Sequence, residues 1–99
     1  IRMINKKENK NELREILRNE LPVLRAKAKV SQDDVAKMLG ISRQTYNSYE
    51  TGKRIIPIVT LLALIAFFQN NENTKSMLFS IEGLEEKLQY MINIQTEER

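Results

Sequence analysis

Between Ser31 and Gly52 the chain sets out helix starts and stops in an order that leaves the backbone little choice. Val30–Ser31–Gln32–Asp33–Asp34–Val35 supplies a serine N-cap with an acidic residue three positions on, and flanks the cap with apolar residues spaced as a staple. Asp33 and Asp34 favour the positive end of a helix dipole. The spacing predicts a helix through Val35, Ala36 and Leu39, stopped by Gly40 in the left-handed conformation. After Ile41 a second cap follows at once: Ser42 begins a segment in which Ile41 can staple to Tyr46. It runs to about Glu50, with Gly52 supplying the next turn. Two short helices must therefore meet across a turn of a few residues.

The rest of the 99-residue chain reads as one small all-α unit, with three glycines, two prolines, 41% hydrophobic residues and no lasting strand alternation. Asn11 is expected to cap a segment from Glu12 to Leu17. Asn19 is expected to cap another from Glu20 to Lys29, with Pro22 in its first turn; whether the two join is left open. Pro57 opens an apolar helix, Ile58 to Phe68, followed by a polar loop, Gln69 to Asn73. A last helical region covers Thr74 to about Ile94, with a break near Ser80. The apolar run from Ile55 to Phe68 falls short of the roughly 20 residues a membrane span needs, so it reads as a core helix.

Cysteine and histidine are absent, which excludes disulfides, Cys/His zinc sites, a cysteine nucleophile and a histidine base. No cofactor is implied. Glu82, Glu85 and Glu86 cluster, but no nucleophile–base pair accompanies them, and an enzyme is not expected. The polar, basic stretch Ile1 to Lys10 lacks the apolar core of a secretory signal, and a cytoplasmic protein is expected. The net charge of +3 permits a polyanionic partner without demanding one.

The second of the two short helices can be read by face. Tyr46 and Tyr49 fall on the inner side. Gln44, Asn47 and Ser48 fall opposite, with Arg43 and Thr45 on the flanks. Arginine can donate two hydrogen bonds to guanine, Gln and Asn can pair with adenine, and a threonine methyl can meet that of thymine. Lys53 and Arg54 in the following loop, with the loop amides, can hold phosphate. So can the open helix start at Ser31 and Gln32. A merely solvated helix can also be polar outside, although Glu and Lys pairs are the commoner choice there.

The whole string from Ser31 to Arg54 closely resembles the Cro/lambda-repressor-like, or XRE, helix-turn-helix family. The resemblance rests on a Ser-Gln start, a Val-Ala pair, the glycine turn, Ser-Arg-Gln-Thr, and Tyr-Glu-x-Gly-Lys-Arg. It extends from about Leu21 to Phe79. It implies a five-helix lambda-repressor-like DNA-binding domain, here with extra N- and C-terminal helical segments. The DNA contacts it implies fall on Gln32, Ser42, Arg43, Gln44, Thr45, Asn47, Ser48, Lys53 and Arg54. It also implies a structural ion pair between Arg25 and Glu50. Pro57 stands one residue later than in much of the family, which lengthens the loop holding Lys53 and Arg54.

The expected organisation is a basic, partly helical segment over 1–19, the DNA-binding domain over 20–80 and a C-terminal helix over 81–99. The expected partner is double-stranded DNA, bound by a transcriptional regulator, a repressor, acting as a homodimer on a palindromic operator. The alternative is an antitoxin or anti-regulator whose main partner is another protein. Met77, Ile81, Leu84, Leu88 and Met91 follow spacings of four, three, four and three, an a/d seam suited to dimerisation. The same stripe can instead fold back as core. Leu13, Ile16 and Leu17 form a second stripe that can pack beside it. Arg2, Lys6, Lys7 and Lys10 read as a solvated tail or, less favoured, a DNA-contacting arm.

Overall fold

The computed structural model describes residues 4–93. Within them lie α1 (Lys6–Ala28), α2 (Gln32–Leu39), α3 (Arg43–Glu50), α4 (Ile58–Asn70), α5 (Lys75–Ser80) and α6 (Leu84–Ile92), with no strand. The fold is all-α, as the sequence predicts.

Helix α1 departs most from expectation. The two expected segments are one helix of 23 residues, capped by Asn5 rather than Asn11 or Asn19. Asn5 accepts from the amide of Glu8, whose carboxylate accepts from the Asn5 amide at 3.3 Å, a reciprocal capping box. Asn11 instead accepts from Arg14 Nη1 at 2.9 Å. Pro22 lies in the helix interior, where it has no amide to give and its ring crowds the carbonyl four residues back, at a cost of about 3 kcal/mol. Helix continues because the residues around it are buried: Leu13, Leu17, Leu21 and Leu24 have no solvent exposure and form one stripe into the core. Breaking the helix at Pro22 would wet half of that stripe, and burial is worth about 1.5–3 kcal/mol per leucine. The expected boundary between residues 19 and 20 therefore falls inside a helix.

The short pair forms as read. Ser31 caps α2 with a full box to Asp34, and Gly40 ends it at φ 74°. The Gly40 amide donates to Lys37 O and that of Ile41 to Ala36 O. Ser42 caps α3 through the Thr45 amide. Val35, Ala36, Tyr46 and Tyr49 point inward and join Leu61, Leu64, Ile65 and Phe68 of α4 in the core. Helix α4 outlasts its expected end by two residues. Thr74, fully buried, donates its hydroxyl to Phe68 O at 2.7 Å and secures the turn into α5.

The break expected near Ser80 is present and divides the expected C-terminal seam. The helix breaks between Ser80 and Leu84, with Gly83 at φ 83°, so the five residues do not share one continuous helical stripe. Leu84 is buried, and Met77, Ile81, Leu88 and Met91 pack against the same core. The α6 part of the stripe packs on α1, with Ile16 3.4 Å from where a Gly83 side chain would begin, while Met77, Ile81, Leu88 and Met91 stay partly exposed. Asn9 Nδ2 donates to Lys87 O at 2.8 Å, and Lys87 pairs with Glu12 at 2.7 Å. Lys6 is not a solvated tail residue. It donates to Tyr90 O and to Asn93 O, placing its charge at the negative end of α6. Lys7 and Lys10 lie in the same helix, while Arg2 and Ile94 fall outside the described residues. No helix among the described residues is long and apolar enough to cross a membrane.

Candidate nucleic-acid interface

The angle between α2 and α3 is held by one carboxylate. Glu50, at the end of α3, accepts from Arg25 Nε at 2.5 Å and Arg25 Nη2 at 3.2 Å. It also accepts from the Tyr46 hydroxyl at 2.6 Å and Gln32 Nε2 at 3.0 Å. Three helices thus meet on two oxygen atoms. The Glu50 side chain is 6% exposed and that of Arg25 19%, so little water competes for these bonds. Burial pushes the Glu50 carboxyl up, but hydrogen bonds from Arg25, Tyr46 and Gln32 outweigh it and leave the group below its usual range. The Arg25 guanidinium is pushed up by its bond to Glu50, and burial pushes the Tyr46 hydroxyl up. The pairing of Arg25 with Glu50, implied by resemblance alone, is present with bidentate geometry.

With α3 so fixed, its outward side chains divide by what they still have to offer. Arg43, Gln44 and Asn47 are exposed. The side chains of Arg43 and Gln44 make no hydrogen bond with described residues. Asn47 Oδ1 accepts from Gln32 Nε2 at 3.0 Å, which leaves its amide nitrogen as the uncommitted group. Ser42, Thr45 and Ser48 are less available than their position on the helical projection implies. The Ser42 hydroxyl accepts from the Thr45 amide and donates to Thr45 Oγ1 at 2.9 Å. That of Ser48 donates to Thr45 O at 2.5 Å. These hydroxyls shape the first turns of α3, and Thr45 and Ser48 are only half-exposed.

The start of α2 is also less open than expected. Ser31 and Asp34 satisfy each other's amides at 3.0 and 2.9 Å, and the Ser31 bonds hold the Asp34 carboxyl below its usual range. Two acids at this end oppose a phosphate. Gln32 donates to both Asn47 and Glu50, and a phosphate contact would draw its amide off that bridge. In the loop, the Gly52 and Arg54 amides donate to Tyr49 O at 3.3 Å and Ser48 O at 3.1 Å. Lys53 and Arg54 are exposed, and their side chains make no bond with described residues.

Sequence reasoning missed the bridging amide of Gln32. It belongs to α2, yet its partners stand 15 and 18 positions on, a separation no local pattern reveals. It also missed Arg14 and Arg18, which reach from α1 to the same loop; their spacing of four on a helix was the available sign.

A polar ridge with free guanidinium and amide groups, set on two inward tyrosines beside exposed cations, is the architecture of a helix-turn-helix DNA-binding protein. Residues 24–72 match the family model described as Helix-turn-helix, and this stretch is a DNA-binding helix-turn-helix of the XRE type. No curated protein and no solved structure matches the chain. The match takes in α2, α3, α4 and the last turn of α1, and leaves most of α1 and all of α5 and α6 outside.

Proposed function

We propose that the chain is a transcriptional repressor in which α3 reads base edges in the major groove while the following loop holds the backbone. The observation that carries this reading is the pairing of uncommitted groups on α3 with the rigidity behind them. Arg43 and Gln44 keep their full hydrogen-bonding capacity, and the Glu50 cluster locks the helix that presents them. In this reading Arg43, Gln44 and the Asn47 amide specify sequence. Lys53 and Arg54 supply sequence-independent affinity. Ser42, Thr45, Ser48 and Gln32 act mainly by shaping α3.

A single module of this size covers few base pairs, so the repressor acts as a dimer on a twofold-symmetric operator, its half-sites about 34 Å apart. The α5–α6 stripe, Met77, Ile81, Leu84, Leu88 and Met91, is partly taken up by the chain's own core and is the second choice for the dimer contact. In this reading a second copy covers Ile55 and Val59, which are 76% and 78% exposed.

Selection of bound duplexes from a random pool, followed by anisotropy titrations at several salt concentrations, tests the assignment. Gln44→Ala relaxes preference at one base position, whereas Lys53→Ala weakens all sequences alike and lowers the salt slope by about one. Unchanged preference and affinity in Gln44→Ala would sink the assignment of α3. Sedimentation of Val59→Asp with operator duplex tests the dimer contact: retention of two protomers per operator would remove this contact from the proposal.

A further inference from the structure

Outside the matched residues, α1 approaches the loop after α3 and leaves a recess of about 240 Å³ lined by Asn11, Arg14, Glu15, Arg18, Gly52 and Arg54, with Ile55 and Ile56 at its wall. Three guanidinium groups and one carboxylate share it. Arg14 is tied across the recess, with Nε donating to Ile56 O at 2.7 Å and Nη1 to Asn11 Oδ1. Arg18 lies against Gly52, where a side chain would begin 3.5 Å from the guanidinium carbon. Its Nη2 pairs with Glu15, but its Nε–H is buried without a partner among the described residues. A buried donor on a charged group without an acceptor carries a cost that a suitable ligand removes. Arg54 enters with its side chain unbonded.

We infer that this recess is a binding site for a phosphate group. Three cations against one anion leave an excess of two positive charges. Arginine forks match phosphate oxygens bidentately. A water molecule in the liquid occupies about 30 Å³, so the volume admits a tetrahedral anion with hydration to spare. Glu15, its side chain 63% exposed, is the internal competitor that an arriving anion displaces from Arg18. The same chemistry has two sources: a phosphate of the duplex flanking the α3 contact, or a free phosphorylated small molecule. The first source deepens the DNA-binding reading and rests on it, because the recess shares Arg54 with the proposed backbone contact. It adds Arg14 and Arg18, from a helix segment outside the family match, to that contact.

The test uses the full chain with inorganic pyrophosphate, followed through the ¹⁵N–¹H signals of the arginine Nε groups, and with random-sequence duplex, followed by anisotropy against salt. Pyrophosphate is expected to shift the Arg18 signal saturably. Arg18→Gln and Arg54→Gln are each expected to weaken pyrophosphate binding, and Glu15→Gln to tighten it. If the source is DNA, Arg18→Gln also lowers the duplex salt slope by about one; if it is a free ligand, that slope stays put. A site that ignores pyrophosphate, with a salt slope unmoved by Arg18→Gln, overturns the proposal even where Gln44→Ala still changes base preference. The converse result, unchanged preference in Gln44→Ala with saturable pyrophosphate binding, removes the DNA reading and leaves the anion site standing.

Discussion

The α2–α3 pair and the α1–α6 pair solve the same problem, holding a short helix in place, by opposite means. Around α3, side chains bond to side chains: Glu50 gathers Arg25, Tyr46 and Gln32, and Gln32 passes on to Asn47. Around α6, side chains of α1 bond mainly to the backbone itself, Asn9 to Lys87 O and Lys6 to Asn93 O, with the Glu12–Lys87 pair beside them. The first arrangement fixes an angle and leaves particular groups facing outward. The second stitches a weak helix, begun at a glycine without a side-chain cap, onto a strong one. The difference separates a surface built to present chemistry from a flank built to cover a core.

If both pairs rest on one core, the largest effect comes from a residue they share. Leu17→Ala, at a position with no exposure, is expected to cost about 3 kcal/mol by denaturant unfolding. Fluorescence of the tyrosines around α3 and Tyr90 should report one coincident transition. Separate transitions would show two independent units.

Next is the carboxylate that the α2–α3 pair depends on. Glu50→Ala strands a largely buried arginine and is expected to cost about 3 kcal/mol. Its pH signature sharpens the contrast. Because the folded state holds the Glu50 carboxyl below its usual range, its stabilisation is complete above the ordinary carboxylate range and is lost as pH falls through the folded value. Asp34 adds a contribution of the same sign. Glu50→Gln should flatten the acid limb of stability against pH, and an unchanged limb would show that other carboxylates dominate it.

A smaller effect is expected at the turn. No atom lies within 4 Å of a side chain built at Gly40, so the obstacle is conformation rather than space. Gly40→Ala should cost about 1–2 kcal/mol, and Gly40→Asn less, since Asn tolerates the left-handed region; equal losses would point to a steric cause instead. The smallest effect probes the α1–α6 stitch. Asn9→Ala should cost about 1 kcal/mol and leave duplex binding unchanged in anisotropy titrations.

The same contrast explains what was legible in the sequence. Ser31, Gly40 and Ser42 act on neighbours within a few positions, so α2, the turn and α3 could be placed from local chemistry. The outward set Arg43, Gln44 and Asn47 followed from helical geometry alone. What escaped was long-range. Asn11 and Asn19 look like caps, yet the buried leucines on both sides of Pro22 draw the two segments into one helix. The Met77-to-Met91 stripe has the spacing of a seam. Its break near Ser80 was legible, but the packing of its α6 part on α1 depends on residues about seventy positions earlier. The hydroxyls of Ser42 and Ser48 are taken up by the amide and the carbonyl of Thr45, backbone groups three positions away.

The unbroken α1 bears on how such a regulator can be dissected. Its early turns look dispensable, because they precede the matched stretch, but they supply Leu13, Leu17 and Leu21 to the interior that backs the tyrosines. Truncation at residue 24 would abolish operator binding by unfolding the scaffold, whether or not the deleted part ever touches a nucleotide. Deletion mapping would then be unable to tell lost contact from lost support. Only single replacements on the solvent side of that helix can separate contact from support.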